Sequence, residues 1–342
     1  MKTALVILAC LLVATIVFAP IRGHSQNPPP VQTQNSPPAH PGSINYVEGE
    51  SSIGGEALSI SSVGSADLAA GQSLTTQTGR VEILLTPGVF LRVADNSTVK
   101  MISPNLADTE VELDKGRAMV EALDVTKDNN IRIDLNGASV KLVKNGLYDF
   151  DAEHQQIRVF KGTAEVHAKS QIVNVTGEHE LSLNTTGKLT SKGFDTRLYE
   201  DDFFRWSALR SGYLSEAGVD EARAYIGTGP GWYGPGWFGA GWYWDAEFGV
   251  WTFIPADGIF YSPFGWGFYS PIFVYRSPFY FGRRGFGPHR FGDFHPPYGH
   301  GFEPQGGFHG GGFRGSSGGA GAGAAHGGGA AHGGGGGGGS HH

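Results

Sequence analysis

A glycine pattern in the second half of the chain has the spacing of a phosphate-binding loop. Gly234, Gly236 and Gly239 match G-x-G-x-x-G, which cradles a pyrophosphate when a strand precedes it and a helix follows. Neither element is predicted at this position. Pro235 and Trp237 fill variable positions, and the motif Gly-Pro-Gly-Trp is itself repeated here. We therefore predict no nucleotide cofactor, and no other pattern indicates a cofactor.

Two groups of carboxylates have side chains suited to acid–base chemistry. The run at 200–202, Glu-Asp-Asp, points in different directions on a helix, so it is better explained as a solvated first turn than as a calcium site. Asp245, Glu247 and Asp257 lie among aromatic residues, a composition typical of sugar-binding clefts. An acid pair for glycoside hydrolysis remains an alternative, but no spacing marks one.

Histidine and cysteine offer little fixed chemistry. Eight of the 13 histidines lie between His289 and His342, several of them surrounded by glycine, where imidazoles would bind metal weakly and without selectivity. No His-Glu-x-x-His or Gly-x-Ser-x-Gly motif occurs. The only cysteine, Cys10, lies in the N-terminal apolar run. We predict no catalytic residue, no metal site and no enzymatic activity.

Tryptophan gives the strongest signal for binding. Six of the seven tryptophans fall in one stretch rich in glycine and proline. Such a concentration of large apolar side chains is either buried in the protein or used to bind a partner. Packing against the rest of the protein is one explanation. Contact with glycans, another protein or the membrane interface is the other. The candidate interaction surface consists of Trp232, Trp237, Trp242, Trp244, Trp251 and Trp266.

The N-terminus predicts export. Lys2 precedes an apolar run from Ala4 to Phe18, and small residues lead up to Ser25, so residues 1–25 are predicted to be a cleaved signal peptide. An uncleaved anchor and a lipid on Cys10 are the alternatives. The protein is expected in the periplasm or at the cell surface, with membrane attachment only through an uncleaved signal. The net charge of −7 argues against a nucleic-acid partner.

The secondary structure that the sequence predicts differs from one region of the chain to the next. Residues 26–54 are predicted to be a proline-rich linker. Residues 55–194 contain short runs of alternating apolar and polar residues separated by turn pairs such as Asn136-Gly137. This pattern predicts an all-β fold, an antiparallel two-sheet sandwich or β-roll, without a helix of three turns.

The C-terminal part is predicted to be helical first and then of low complexity. Apolar residues recur at helical spacing in residues 195–226. We expect Asp195 to cap this helix and Gly218 to end it, with a second short helix to follow. Residues 227–302 are rich in glycine, proline and aromatic residues, and residues 303–342 are predicted to be a disordered Gly/His tail.

The β region resembles the FecR family. The resemblance covers about residues 56–189 and is carried by five segments: 78–85 (TGRVEILL), 91–97 (LRVADNS), 111–120 (VELDKGRAMV), 146–150 (GLYDF) and 159–166 (VFKGTAEV). It implies an all-β module outside the cytoplasm, which in the founding members links a sigma-factor-binding segment to an outer-membrane receptor. Only a few residues precede the apolar run here, so direct sigma-factor control is not expected.

These observations predict a non-enzymatic exported binding or scaffold module of the bacterial cell envelope, which contacts an envelope protein or glycan. The first alternative is an accessory component of an envelope-sensing signalling system, as the resemblance would imply. The second and weaker alternative is a hydrolase of envelope glycans that uses Asp245 or Glu247.

Overall fold

The computed structural model describes residues 38–226, 234 and 236–274. The predicted signal peptide, the glycine-rich tail, the C-terminal histidines and Trp232 lie outside these residues. Within the described part, no helix is both long and apolar enough to cross a membrane.

The described chain contains nineteen strands, one α-helix (α1, Asp202–Ala224) and two 3₁₀ helices (Ile60–Ser62 and Thr196–Tyr199). The strands are β1 Ile44–Ile53, β2 Glu56–Ala57, β3 Ser73–Thr86, β4 Val89–Val93, β5 Thr98–Asn105, β6 Asp108–Lys115, β7 Arg117–Ala122, β8 Asn130–Leu135, β9 Ala138–Leu142, β10 Gly146–Asp151, β11 Gln156–Lys161, β12 Thr163–Ala168, β13 Gln171–Thr176, β14 His179–Ser182, β15 Lys192–Gly193, β16 Gly241–Asp245, β17 Val250–Ile254, β18 Ile259–Tyr261 and β19 Gly267–Tyr269.

Strands β1 to β15 belong to one hydrogen-bonded sheet, in the order β13-β12-β9-β8-β6-β5-β3-β4-β7-β10-β11-β14-β15, with β1 against β3 and β2 against β1. The predicted all-β class of this region is confirmed. The prediction of wholly antiparallel pairing is wrong at one place, because β6 and β8 are parallel. After β6 the chain enters β7, which pairs with β4 and β10, and then returns to place β8 beside β6 in the same direction.

One core serves both ends of this sheet. Apolar residues from β12 and β13, at one end of the strand order, share a cluster with residues from β11 and β14, near the other end. The consecutive strands β11 and β12 are joined at Gly162, which has a φ of 104°. A Cβ atom at this position would lie 2.4 Å from the Tyr148 hydroxyl, so only glycine permits the bend.

The predicted linker 26–54 does not extend to its stated end. Residues 44–53 form strand β1, which pairs with β3 along most of its length. Ile44 and Val47 are buried in the core. The prediction followed the prolines, whereas Gly49 and neighbouring serines interrupt the apolar alternation of this strand and weaken its signal.

Helix α1 differs from its prediction at both ends. Asp201 caps it by accepting a hydrogen bond from the Phe204 amide at 2.9 Å, while Asp195 caps the preceding 3₁₀ helix. The helix continues through Gly218 to Ala224, so the predicted break and second helix are wrong. A Cβ atom at Gly218 would lie 3.1 Å from Thr252 Oγ1, so this glycine permits close packing rather than ending the helix.

Candidate functional site

Strands β3, β4 and β7 carry charged side chains on the sheet face opposite the core. Glu82, Arg92 and Glu121 belong to these three strands and are fully buried. Arg92 lies between the two carboxylates, with Nε 2.9 Å from Glu82 Oε2 and Nη2 2.7 Å from Glu121 Oε2. Removing charges from water is costly unless each is paired. Another part of the chain must therefore cover this face and complete the pairing.

Helix α1 covers this face and supplies the missing partners. Arg210 Nη2 lies 3.0 Å from Glu82 Oε1, and Ser211 Oγ donates to Glu121 Oε1 at 2.6 Å. The cluster then contains two carboxylates and two guanidinium groups. Burial raises the pKa of Glu82, but Arg210 and Arg92 outweigh it and the pKa is lowered overall. Arg210 of α1 and Arg92 of the sheet thus both favour the ionised form of Glu82.

A second ion cluster holds the beginning of α1. Arg117 on β7 and Arg158 on β11 share Asp149 on β10, with nitrogen–oxygen distances of 2.6 and 2.9 Å. Arg117 also pairs with Asp201, the residue that caps α1. Burial alone would raise the pKa of Asp201, but the Phe204 amide and Arg117 lower it. Asp201, in the run 200–202, therefore caps α1 and also attaches the beginning of this helix to the sheet through Arg117.

The aromatic segment is joined to the same sheet. Strands β16 and β17 form a hairpin, and Asn45 of β1 accepts a hydrogen bond from the Trp251 amide at 2.7 Å. The Asn45 Nδ2 group donates to the Trp251 carbonyl at 2.9 Å and to Glu82 Oε1 at 3.0 Å. One side-chain amide thus connects the hairpin to the buried ion cluster.

The predicted tryptophan surface is largely internal. Trp242 and Trp251 are 8% and 7% exposed. Their cluster also contains residues of the sheet and of α1, which are Leu84, Phe90, Leu123, Leu214 and Ala217. Trp237, Trp244 and Trp266 are half-buried. The prediction that Trp242 and Trp251 form an interaction surface is therefore wrong. These two side chains pack against the apolar residues on the outer face of the sheet and shield them from water.

Asp245, one of the carboxylates near the aromatic residues, has a local structural contact. Asp245 is buried and accepts a hydrogen bond from the Phe248 amide at 2.7 Å, which stabilises the turn of the hairpin. Burial raises its pKa. Burial and neighbouring carboxylates raise the pKa values of Glu216 and Glu221 on α1 to about 7. Among residues 38–226, 234 and 236–274, no group of three potential ligands could hold a metal ion.

The glycine pattern leads into a strand. Gly236 and Gly239 have positive φ values of 86° and 101°, and β16 begins at Gly241, where a dinucleotide-binding loop would continue into a helix. These glycines form turns that allow Trp237 and Phe238 to stack on the ring of Tyr243.

Sequence analysis missed Glu82, Arg92, Glu121 and Asn45. Charged residues alternating with core residues on a strand normally indicate a solvated face. One signal in the sequence argues against a solvated face. Leu84 and Phe90 lie on the same outer face, and such large apolar side chains are normally buried under another part of the chain.

The model of the FecR protein family matches residues 72–165. The chain contains a FecR domain. The match spans β3 to the first half of β12, so the charged sheet face lies inside the FecR domain, whereas β1, α1 and the aromatic hairpin lie outside the match.

Two crystal structures, at 1.65 and 2.50 Å resolution, of a protein from Parabacteroides distasonis assigned provisionally as an anti-sigma factor are similar to part of the chain. Identity is 15% and 16%, and the TM-score is 0.32 for both. The matches cover 36% of this chain and 61% and 59% of those chains, so the chain spans about three fifths of their length. A search of curated proteins found no match.

Proposed function

We propose that this protein is a non-enzymatic binding or scaffold module of the bacterial cell envelope, located in the periplasm or at the cell surface. The observation that carries the proposal is the way in which the FecR domain is enclosed. Its charged face is covered by α1 through Arg210 and Ser211, and the hairpin is held by Asn45. The side chains most suited to chemistry are thereby used in internal contacts.

Contacts with an envelope protein or glycan would then be made by what this arrangement leaves exposed. Large apolar side chains remain exposed on several separate elements: Ile60, Ile172, Leu198, Phe238 and Tyr261. Phe238 stacks on Tyr243 with ring centroids 4.4 Å apart, and an exposed aromatic ring held in this way is suited to stacking on a sugar.

A second candidate is an accessory role in an envelope-sensing signalling system. The FecR domain at residues 72–165 favours it, because the family resemblance connects such domains to signalling across the envelope. A partner in the membrane would have to carry the signal inward.

The test uses the full chain expressed with its own N-terminus in a bacterial host. Cell fractionation, envelope cross-linking and binding to purified peptidoglycan would be measured for the full chain and for a variant ending after Val274. This boundary keeps the described strands, whereas a deletion starting at residue 227 would remove β16 and β17 from the core. Phe238→Ala tests the aromatic contact, and Leu198→Ala is the exposed control.

Recovery in the envelope fraction, with a specific cross-linked protein or retention on peptidoglycan, supports the proposal. A cross-link to an inner-membrane signalling protein favours the second candidate. Recovery of the full chain in the cytosol contradicts the proposal, and so does hydrolysis of peptidoglycan that Asp245→Asn abolishes.

A further inference from the structure

Strand β13 is the terminal strand of the large sheet. Among the described strands it pairs only with β12. The two strands are joined by a two-residue turn at Lys169 and Ser170, whose φ values are 51° and 59°. In such a turn the flanking residues, here Ala168 and Gln171, form a hydrogen-bonded pair, and hydrogen-bonded pairs then alternate with non-hydrogen-bonded pairs along the hairpin.

This alternation determines which backbone groups of β13 face outward. Ile172, Asn174 and Thr176 occupy the non-hydrogen-bonded positions opposite β12, so their N–H and C=O groups point away from it. The register of the neighbouring strand agrees, because the carbonyl of Thr163, the β12 partner of Thr176, points to the other side and accepts a hydrogen bond from Val143. The outer edge of β13 therefore presents three donors and three acceptors in a row.

The other edges of this sheet are closed or short. Strands β2 and β15 have two residues each, and β1 contacts Trp251 through the amide of Asn45. Strand β13 has six residues, Gln-Ile-Val-Asn-Val-Thr, with no charge and no proline. Native proteins usually protect a free edge with charges, proline or a bulge. Ile172 on this unprotected edge is 65% exposed.

We propose that β13 pairs with β13 of a second copy of this chain, antiparallel and about a twofold axis through Asn174. The outward-facing residues are spaced symmetrically about Asn174, which makes the edge complementary to itself. Asn174 lies opposite the partner's Asn174, and Ile172 lies opposite the partner's Thr176. The β-branched side chains of Ile172 and Thr176 pack well against each other on a pleated surface, and no like charges meet. This inference does not depend on the proposed envelope function.

Six residues from each copy make a small contact, so the dimer is weak and depends on concentration. Disulfide trapping detects such a dimer and tests its register. In full chain carrying Cys10→Ser, Asn174→Cys should form a disulfide-linked dimer, because residues directly opposite in antiparallel strands lie within bridging distance. Ile172→Cys alone should not, but a mixture of Ile172→Cys and Thr176→Cys chains should cross-link. Leu198→Cys is the exposed control.

The dimer is measured independently by analytical ultracentrifugation of the full chain. Ile172→Lys should weaken the dimer at least about tenfold, because it places a charge in each symmetric contact. Ile60→Lys is the matched control, since Ile60 is 66% exposed and lies away from the edge. Asn174→Pro removes an outward N–H that β12 does not use, so it should abolish the dimer while the circular dichroism spectrum and thermal midpoint are retained.

Two results would overturn the inference. One is equal cross-linking by Asn174→Cys and Leu198→Cys, which indicates random collision. The other is a monomer at millimolar concentration with no disulfide-linked Asn174→Cys dimer, which indicates that this edge has no second copy as its partner.

Discussion

The side-chain amide of Asn45 makes both hydrogen bonds that a neighbouring strand would make to Trp251. Its Oδ1 accepts from the Trp251 amide at 2.7 Å, and its Nδ2 donates to the Trp251 carbonyl at 2.9 Å. The two residues are 206 positions apart in the chain. The side chain of Asn45 in β1 thus provides hydrogen bonds to β17 of the aromatic hairpin in place of backbone pairing between the two strands.

Replacing Asn45 tests this connection. Asn45→Ala leaves a buried N–H and C=O of Trp251 without partners and removes a donor from Glu82, so we expect a loss of about 1–3 kcal/mol in the free energy of unfolding. Urea unfolding measures the loss, and amide exchange at Trp251 locates it. Asn184 is exposed, and Asn184→Ala is the control. Equal effects of the two substitutions would contradict the role assigned to Asn45.

The ion pair between Glu82 and Arg210 should show coupling. Arg210→Met leaves a buried carboxylate with one cation fewer and is expected to cost about 3 kcal/mol, the lower part of the range for broken buried pairs, because Arg92 and Asn45 still contact Glu82. Glu82→Gln combined with Arg210→Met should cost less than the sum of the single changes, by about 1–3 kcal/mol. Additive losses in urea unfolding would show that Glu82 and Arg210 are not energetically coupled and would contradict the prediction.

Two glycines of α1 should resist enlargement. A Cβ atom at Gly212 would lie 3.0 Å from Trp266 Cε2, and one at Gly218 would lie 3.1 Å from Thr252 Oγ1. Gly212→Val and Gly218→Val should each destabilise the fold by about 1–3 kcal/mol, because overpacking displaces the aromatic strands. The control is Ala224→Val at the exposed end of the helix, for which helix propensity predicts a cost below about 1 kcal/mol. Thermal unfolding with tryptophan fluorescence distinguishes these outcomes.

Stability should decrease as pH rises towards 8. Burial, together with Asp220, Glu247 and Asp245, raises the pKa of Glu216 to about 7, against the opposing effect of Arg223. Glu221 is raised to about 7 by burial, Asp245 and Asp220. A carboxyl group with a higher pKa in the folded state favours folding when protonated, so its contribution is lost as pH rises from about 4.5 to about 7.

The measurement is the urea midpoint between pH 5.5 and 8.5. The midpoint should be higher at pH 5.5, and Glu216→Gln with Glu221→Gln should reduce the difference and raise the midpoint at pH 8. The control pair is Glu56→Gln with Glu153→Gln, both at exposed positions. Below about pH 4.5 stability should fall again, because Glu82 and Asp201 have lowered pKa values and lose their ion pairs when protonated. A flat profile in the unsubstituted chain would contradict the prediction.

Local patterns determined the class of the fold and the location of its elements. The alternating runs of residues 81–85 and 157–160 mark strands, and the three- and four-residue spacing after residue 195 marks a helix. Such patterns record which side of one element is buried, and this depends on neighbours a few positions away. The five segments between residues 78 and 166 together also indicated the FecR resemblance, and the family model matches residues 72–165.

Only the tertiary structure decided what covers the outer face of the FecR domain. Arg210 and Glu82 are separated by 128 positions, and no periodicity reports a pairing at that distance. The same limit applies to Trp242 and Trp251. Composition shows that large apolar side chains are concentrated in this segment, but only the packing of strands distant in the chain shows that these two side chains are buried. The free edge at β13 likewise depends on strand order, because β13 has none of the charges or prolines that mark many edge strands in sequence.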